Sequence, residues 1–134
     1  MTLANLDTLC NNWKYYQPEF KAEVAKMIQS NMSVGIFLNH PEKGEETLAA
    51  MVLQAEYWGI GLLITLPEHR RKGLAALALS HLIQDLGKKG FTPFSLNATE
   101  NDASSTIFTK LGFKKRGLYQ WIRPVKIENC RGSQ

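Results

Sequence analysis

Cysteine, long apolar runs and targeting signals are what this chain has least of. Two cysteines, Cys10 and Cys130, stand near opposite ends of 134 residues. Neither sits in a CxxC or Cys/His spacing, so no zinc or other metal site is expected, and a reducing compartment is the simpler setting, with a single bridge left open. No apolar run approaches the ~20 residues that cross a bilayer, which argues against a membrane partner. Met1 to Asp7 lack the cationic start and apolar block of a secretory signal, and Asp7 counts against a transit peptide. Helix-turn-helix and RRM patterns are missing, as is any aromatic-basic stripe. Nucleic acid is therefore not the expected partner, although the net charge is +4. With no internal repeat, low-complexity tract or linker, residues 1–134 are expected to form a single domain.

What remains is ordinary globular composition, 44% hydrophobic and 21% charged. The cations gather in three knots in the second half: Arg70-Arg71-Lys72, Lys88-Lys89 and Lys114-Lys115-Arg116. Lys88-Lys89 suits a helix C-terminus. Leu3 to Trp13 reads as strand or irregular lead-in. Pro18-Glu19 opens a helix carrying Phe20, Val24, Met27 and Ile28 at helical spacing to about Ser30. Ser33 to Asn39 and Thr47 to Gln54 read as an antiparallel pair about a turn from His40 to Gly44. Ile60 to Leu66 is the next strand, with Gly59 and Gly61 marking a bulge or a close backbone approach. Leu74 to Leu86 is nearly all apolar, a helix buried over most of its girth and ended by Gly87 and Gly90. Phe94 to Ala98 reads as strand and Asp102 to Leu111 as a helix closed by Gly112. Phe113 to Lys115 and Leu118 to Arg123 read as a last strand pair. This order calls for an α/β domain, a mixed sheet with helices packed on it.

The chain is organised around Ile64 to Leu77. Strand residues run into Leu66-Pro67, where the ladder must stop. Arg70, Arg71, Lys72 and Gly73 follow, and then an unbroken helix. A basic, glycine-containing loop leading into a helix aims backbone N–H groups and the positive end of a dipole at one point, which suits phosphates. Cations oppose that dipole unless an anion compensates them.

Arg70-x-x-Gly73-x-Ala75 resembles the pyrophosphate-binding signature of the GNAT acyltransferases. A second constellation follows it in order: Asn101, Ser104, Phe108, Gly112 and Phe113, on a strand–Asn–helix–LGF arrangement that resembles the same superfamily. The likeness narrows further. Leu6-Asp7 with Trp13, a helix ending before Ser33-Val34, and Thr65 to Gly73 are most similar to the C-terminal domain of the glycine N-acyltransferase family. The resemblance covers roughly Leu6 to Ile122, so the chain would be either a short paralogue or the C-terminal half of a longer protein.

This resemblance implies a GNAT fold: a mixed, mostly antiparallel sheet, splayed at a cofactor cleft and flanked by helices. It implies acyl-CoA as co-substrate, with the backbone of Leu63, Ile64 and Thr65 pairing with the pantetheine amides. The pyrophosphate would rest on N–H groups from Arg71 to Ala76, including Gly73, Leu74 and Ala75, with charge from Arg70, Arg71 and Lys72. Asn101 would either bond the pantetheine or cap its helix, and Ser104 would face the cofactor. The implied reaction is transfer of an acyl group to the amine of a small acceptor, an amino acid such as glycine. The alternatives are an acetyltransferase of a peptide N-terminus, lysine or polyamine, and a CoA-binding module without turnover. The resemblance leaves the catalytic side chains unassigned. The common GNAT tyrosine position falls on Phe108 and the family glutamate position on Gly59. Glu56 and Tyr57 are the nearest substitutes, and His69 and His81 read as loop and surface residues. A monomer or weak homodimer, intracellular in cytoplasm or mitochondria, completes the expectation.

Overall fold

A computed structural model describes residues 1–122. Its centre is a three-stranded antiparallel sheet in the order β1-β2-β3, with β1 Ser33–His40, β2 Glu45–Gln54 and β3 Ile60–Thr65. β2 is the middle strand and is buried from Leu48 to Gln54, as a strand covered on both faces must be.

One face carries α1 Leu6–Asn12 and α2 Lys21–Ser30. Here the structure departs from the expectation for Leu3 to Trp13, which is helical. Leu6, Leu9, Cys10 and Trp13 fall at helical spacing, and all four join Val24, Met27, Ile28, Met51, Leu53 and Ile64 in one core cluster. α2 follows a 3-10 turn begun by Pro18, as its sequence requires.

The other face carries α3 Leu74–Lys88 and α4 Asp102–Lys110. Ala78, Leu79, Leu82 and Leu86 of α3 pack with Val52, Ile60 and Phe108 in the second cluster. Gly87 does not end α3 as expected; it stays helical at a cost of ~1 kcal/mol against alanine. Gly90 is the terminator, at φ +82°, with the Phe91 N–H bonded to the Leu86 carbonyl at 3.0 Å. α4 ends in the same way. Gly112 lies at φ +89°, the Phe113 N–H donates to the Phe108 carbonyl at 3.0 Å, and the two phenyl rings meet edge to face at 5.0 Å.

The remaining expected strands are the largest departures. Phe94 to Ala98 forms only one parallel bridge, Ser95 beside Ile60. Residues 113–122 form no strand. Leu118, Tyr119, Trp121 and Ile122 are consequently 72–85% exposed. Arg123 and Cys130 lie outside the described residues.

Candidate functional site

β3 is the strand on which the site is built, and it is irregular. Val52 of β2 is opposed by both Leu62 and Leu63, since Met51 pairs with Ile64 but Leu53 pairs with Gly61. That is a β-bulge, and Leu62 takes it up at φ +50°, a left-handed conformation costly for a bulky side chain. The bulge shifts the alternation by one residue. Ile60 and Leu63 face α3, whereas Leu62 and Ile64 face α1 and α2. It also leaves one peptide of β3 without a place in the β2 ladder.

The far edge of β3 is mostly unpaired. At its start the Ile60 N–H donates to the Phe94 carbonyl at 2.7 Å. One step on, the Ile60 carbonyl accepts the Ser95 hydroxyl at 2.9 Å and the Tyr57 hydroxyl at 3.4 Å. The Leu96 backbone N–H turns to the same Tyr57 oxygen. Beyond this point no backbone hydrogen bond among the described residues joins Leu62 to Thr65 with the chain from Asn97 to Asn101. The sheet therefore splits between β3 and the segment leading to α4, with Tyr57 and Ser95 at the closed end.

At the open end lies the basic loop. A 3-10 turn, Pro67–His69, follows β3, then Arg70, Arg71 at φ +62° and Gly73 at φ +75°. Two left-handed residues so close together curl the backbone into a concave run of N–H groups. Gly73 precedes α3 with no side-chain cap, and the first helical bond is donated by the Leu77 N–H. The N–H groups of Leu74, Ala75 and Ala76 thus have no acceptor among the described residues. A Cβ on Gly73 would meet nothing within 4 Å, so the space before the helix is open. Arg70, Arg71 and Lys72 are exposed. Arg70 Nε reaches the Thr65 carbonyl at 3.4 Å and Lys72 Nζ the Glu68 carbonyl at 3.3 Å, and among the described residues none of the three forms an ion pair. His69 Nδ1 is buried beside this loop with no hydrogen-bond partner among the described residues.

Leu63, Ile64, Thr65, Arg70, Arg71, Lys72, Gly73, Leu74, Ala75 and Ala76 therefore form one continuous lip of the gap, as their sequence order requires. Asn101 and Ser104 stand at the start of α4. Asn101 is the helix cap, its side-chain oxygen accepting from the Ser104 N–H at 3.2 Å. Phe108 is core, 5% exposed. His81 is on the exposed face of α3.

Sequence reasoning missed the closed end. Tyr57 packs against Phe94 and Trp121, with centroids 6.1 and 5.7 Å away. Burial, with help from the Glu56 carboxylate, pushes its phenol up to about 12. A Cβ on Gly59 would stand 2.4 Å from the Tyr57 ring, and one on Gly61 would stand 3.2 Å from its hydroxyl. Both glycines are there because the tyrosine lies over them. That was the available signal: two glycines, two positions apart, beside an aromatic residue.

Residues 33–122 match the family of FR47-like proteins. The chain belongs to the FR47-like family. No curated protein sequence matches it. Among solved structures, a Drosophila protein aligns over 87% of this chain at 21% identity and a TM-score of 0.70. This chain spans only 38% of that protein's length. AAC(6')-Iy, in complex with the bisubstrate analogue CoA-S-monomethyl-acetylneamine, aligns over 93% of this chain and 95% of its own, at 15% identity and a TM-score of 0.66. A predicted acetyltransferase from Clostridium acetobutylicum, with acetyl-CoA, covers 92% of each chain at 14% identity and a TM-score of 0.64. At such identities the likeness establishes the fold: this FR47-like chain has the GNAT acyltransferase fold, with its split sheet and basic loop in place.

Proposed function

We propose that the chain is an acyl-CoA-dependent N-acyltransferase acting on the amine of a small acceptor, with an amino acid such as glycine as the acceptor its sequence resemblance favours. The observation that carries this reading is the gap beside β3. Among the described residues no strand pairs with the far edge of β3 from Leu62 to Thr65, and it leads directly to an uncapped, cationic helix N-terminus. A ligand with a peptide-like arm and a pyrophosphate head satisfies both halves at once, the arm by adding to the strand edge and the head on the N–H groups of Arg71 to Ala76. Asn101 and Ser104 would border the arm on the other side. Coenzyme A has that chemistry, and two of the solved structures of this fold contain a CoA analogue or acetyl-CoA.

In the reaction, the nitrogen lone pair of a neutral amine attacks the thioester carbonyl. The C–N bond forms, the carbonyl electrons move onto oxygen, and their return breaks the C–S bond, sending its electron pair to sulfur. The amine loses a proton and the thiolate gains one, so a base and an acid are required. The unpaired peptide at the Leu62–Leu63 bulge would supply a backbone donor for the oxyanion. Glu56 is the carboxylate nearest the closed end in sequence and would be the base.

A second reading is favoured by two particular residues. Phe108 is buried with no proton to give, and the space above Gly59 is filled by the Tyr57 ring. Both suit a CoA-binding module without turnover. Thiol release from acetyl-CoA, measured with amino acids, polyamines and a lysine peptide, separates the readings. Release that depends on an amino acid supports the transferase. Release with polyamine or peptide alone reassigns the acceptor. Tight CoA binding without release under any amine supports the module. For the transferase, Glu56→Gln is expected to lower kcat by about a hundredfold while leaving CoA affinity unchanged.

The chain corresponds to a single domain in this reading. Among the described residues no helix is long and apolar enough to cross a membrane.

A further inference from the structure

We propose that Tyr57 determines acyl-group specificity, by closing the end of the gap so that only a short acyl group, of about the size of acetyl, fits beyond the thioester. This rests on the acyl-CoA reading above.

The direction of the arm follows from the geometry. A phosphate head at the loop puts the other end of the ligand toward the start of β3, because the free strand edge runs that way. From Thr65 to Gly61 that edge is ~13 Å long at ~3.3 Å per residue, and it stops where Ile60 pairs with Phe94 and Ser95. The acyl group therefore arrives at the point where the split closes. Three groups meet it there. Ser95 and Ile60 hold the two backbones together in the plane of the sheet. On the α3 face, Ile60 and Leu63 pack with Leu79, Phe108 and Phe113. On the α2 face, the side chains that would project from positions 59 and 61 are absent, and the Tyr57 ring takes that space.

The ring is fixed there. Phe94 and Trp121 pack against it, and its hydroxyl is engaged by the Ile60 carbonyl and the Leu96 N–H. Swinging it aside would cost the hydroxyl both partners and break the packing with Phe94 and Trp121, although the Ile60 carbonyl would keep the Ser95 hydroxyl, so the ring does not yield readily to a bulky acyl chain. The two glycines make the same point from the other direction. A Cβ at position 59 would meet the Tyr57 and Phe94 rings and one at position 61 would meet Tyr57 and Ala55, so Tyr57 is the side chain that lies over both glycines.

The test is equilibrium binding of CoA, acetyl-CoA and benzoyl-CoA to the wild-type chain, Tyr57→Phe, Tyr57→Leu and Tyr57→Ala. The wild type is expected to bind acetyl-CoA about as well as CoA, and benzoyl-CoA at least about tenfold more weakly. Tyr57→Phe keeps the ring and should keep that ratio. Tyr57→Ala should bring the ratio within about threefold, and Tyr57→Leu, a milder truncation in case the alanine variant does not fold, should move it part of the way. Wild-type protein that binds benzoyl-CoA as tightly as acetyl-CoA overturns the proposal, as does a folded Tyr57→Ala or Tyr57→Leu that leaves the ratio unchanged. Failure of CoA itself to bind overturns the acyl-CoA reading and this proposal with it, whereas binding without acyl discrimination overturns this proposal alone.

Discussion

The N-termini of α3 and α4 are built in opposite ways. α4 is closed by its own sequence. Asn101 caps it by accepting from the Ser104 N–H, and Asp102 adds a carboxylate to its first turn. α3 has no cap and no acidic residue in its first turn, and it is preceded by three cations that oppose its dipole. It also carries an arginine in a left-handed conformation. A chain able to write a well-capped helix start at Asn101 did not do so at Gly73. The contrast fits the proposed role of α3: an end that satisfies itself needs no ligand, and an end left unsatisfied and preceded by cations suits an anion.

The comparison can be broken most sharply by reversing charge. Replacing Arg70, Arg71 and Lys72 together with glutamate should lower CoA affinity by at least about a hundredfold, since charge-assisted contacts are worth ~1.5–3 kcal/mol each. The same change should leave thermal stability equal or raised, because acidic residues suit a helix start. Calorimetric titration and a melting curve on one preparation check both halves.

The closed end supplies a control that involves no phosphate. Tyr57 holds its proton more tightly in the folded chain than in the unfolded one, about 12 against 10. Below pH 10 both states are protonated and pH has no effect through this group. Between pH 10 and 12 the unfolded chain loses the proton first, so stability falls, by about 2–3 kcal/mol in all. Denaturant unfolding across that window should show the loss, and Tyr57→Phe should remove its share.

Smaller effects sharpen the contrast. Asn101→Ala should cost ~1 kcal/mol of stability, the usual worth of a cap, and change CoA affinity by less than about threefold. A large loss of affinity without loss of stability would move Asn101 to the ligand side of the comparison. Arg71→Gly should do the reverse of a cap deletion. It relieves a left-handed side chain, gaining up to ~1 kcal/mol, while removing a charge from the loop, so the melting temperature holds or rises as CoA affinity falls.

The local backbone of the open end was legible in the sequence and little of the closed end was, for physical reasons. The loop from Arg70 to Ala76 is contiguous, so its chemistry is written in one stretch, and Gly73 announces the left-handed turn. The α4 cap is equally local, as is its Gly112 terminator. Leu3 to Trp13 was missed although its apolar residues keep helical spacing, because the run is short and it is held by tertiary contacts with α2 and the sheet. Phe94 to Ala98 and Leu118 to Ile122 have strand-like composition, but a strand also needs a neighbour's edge, and no local pattern records whether one is offered. Tyr57 acts across the gap on Ile60 and Leu96, a relation visible only once β3 is placed. The bulge at Leu62–Leu63 is similar: four apolar or β-branched residues in a row hide the shift in phase that the two core clusters reveal.

If the free N–H groups of α3 bind the phosphates of a CoA thioester, titration of the chain with CoA at low and at high salt should show saturable one-to-one binding that weakens as salt rises, is lost in the triple glutamate variant and is kept in Asn101→Ala. Absence of binding at low salt, or binding indifferent to the loop charges, would contradict that role.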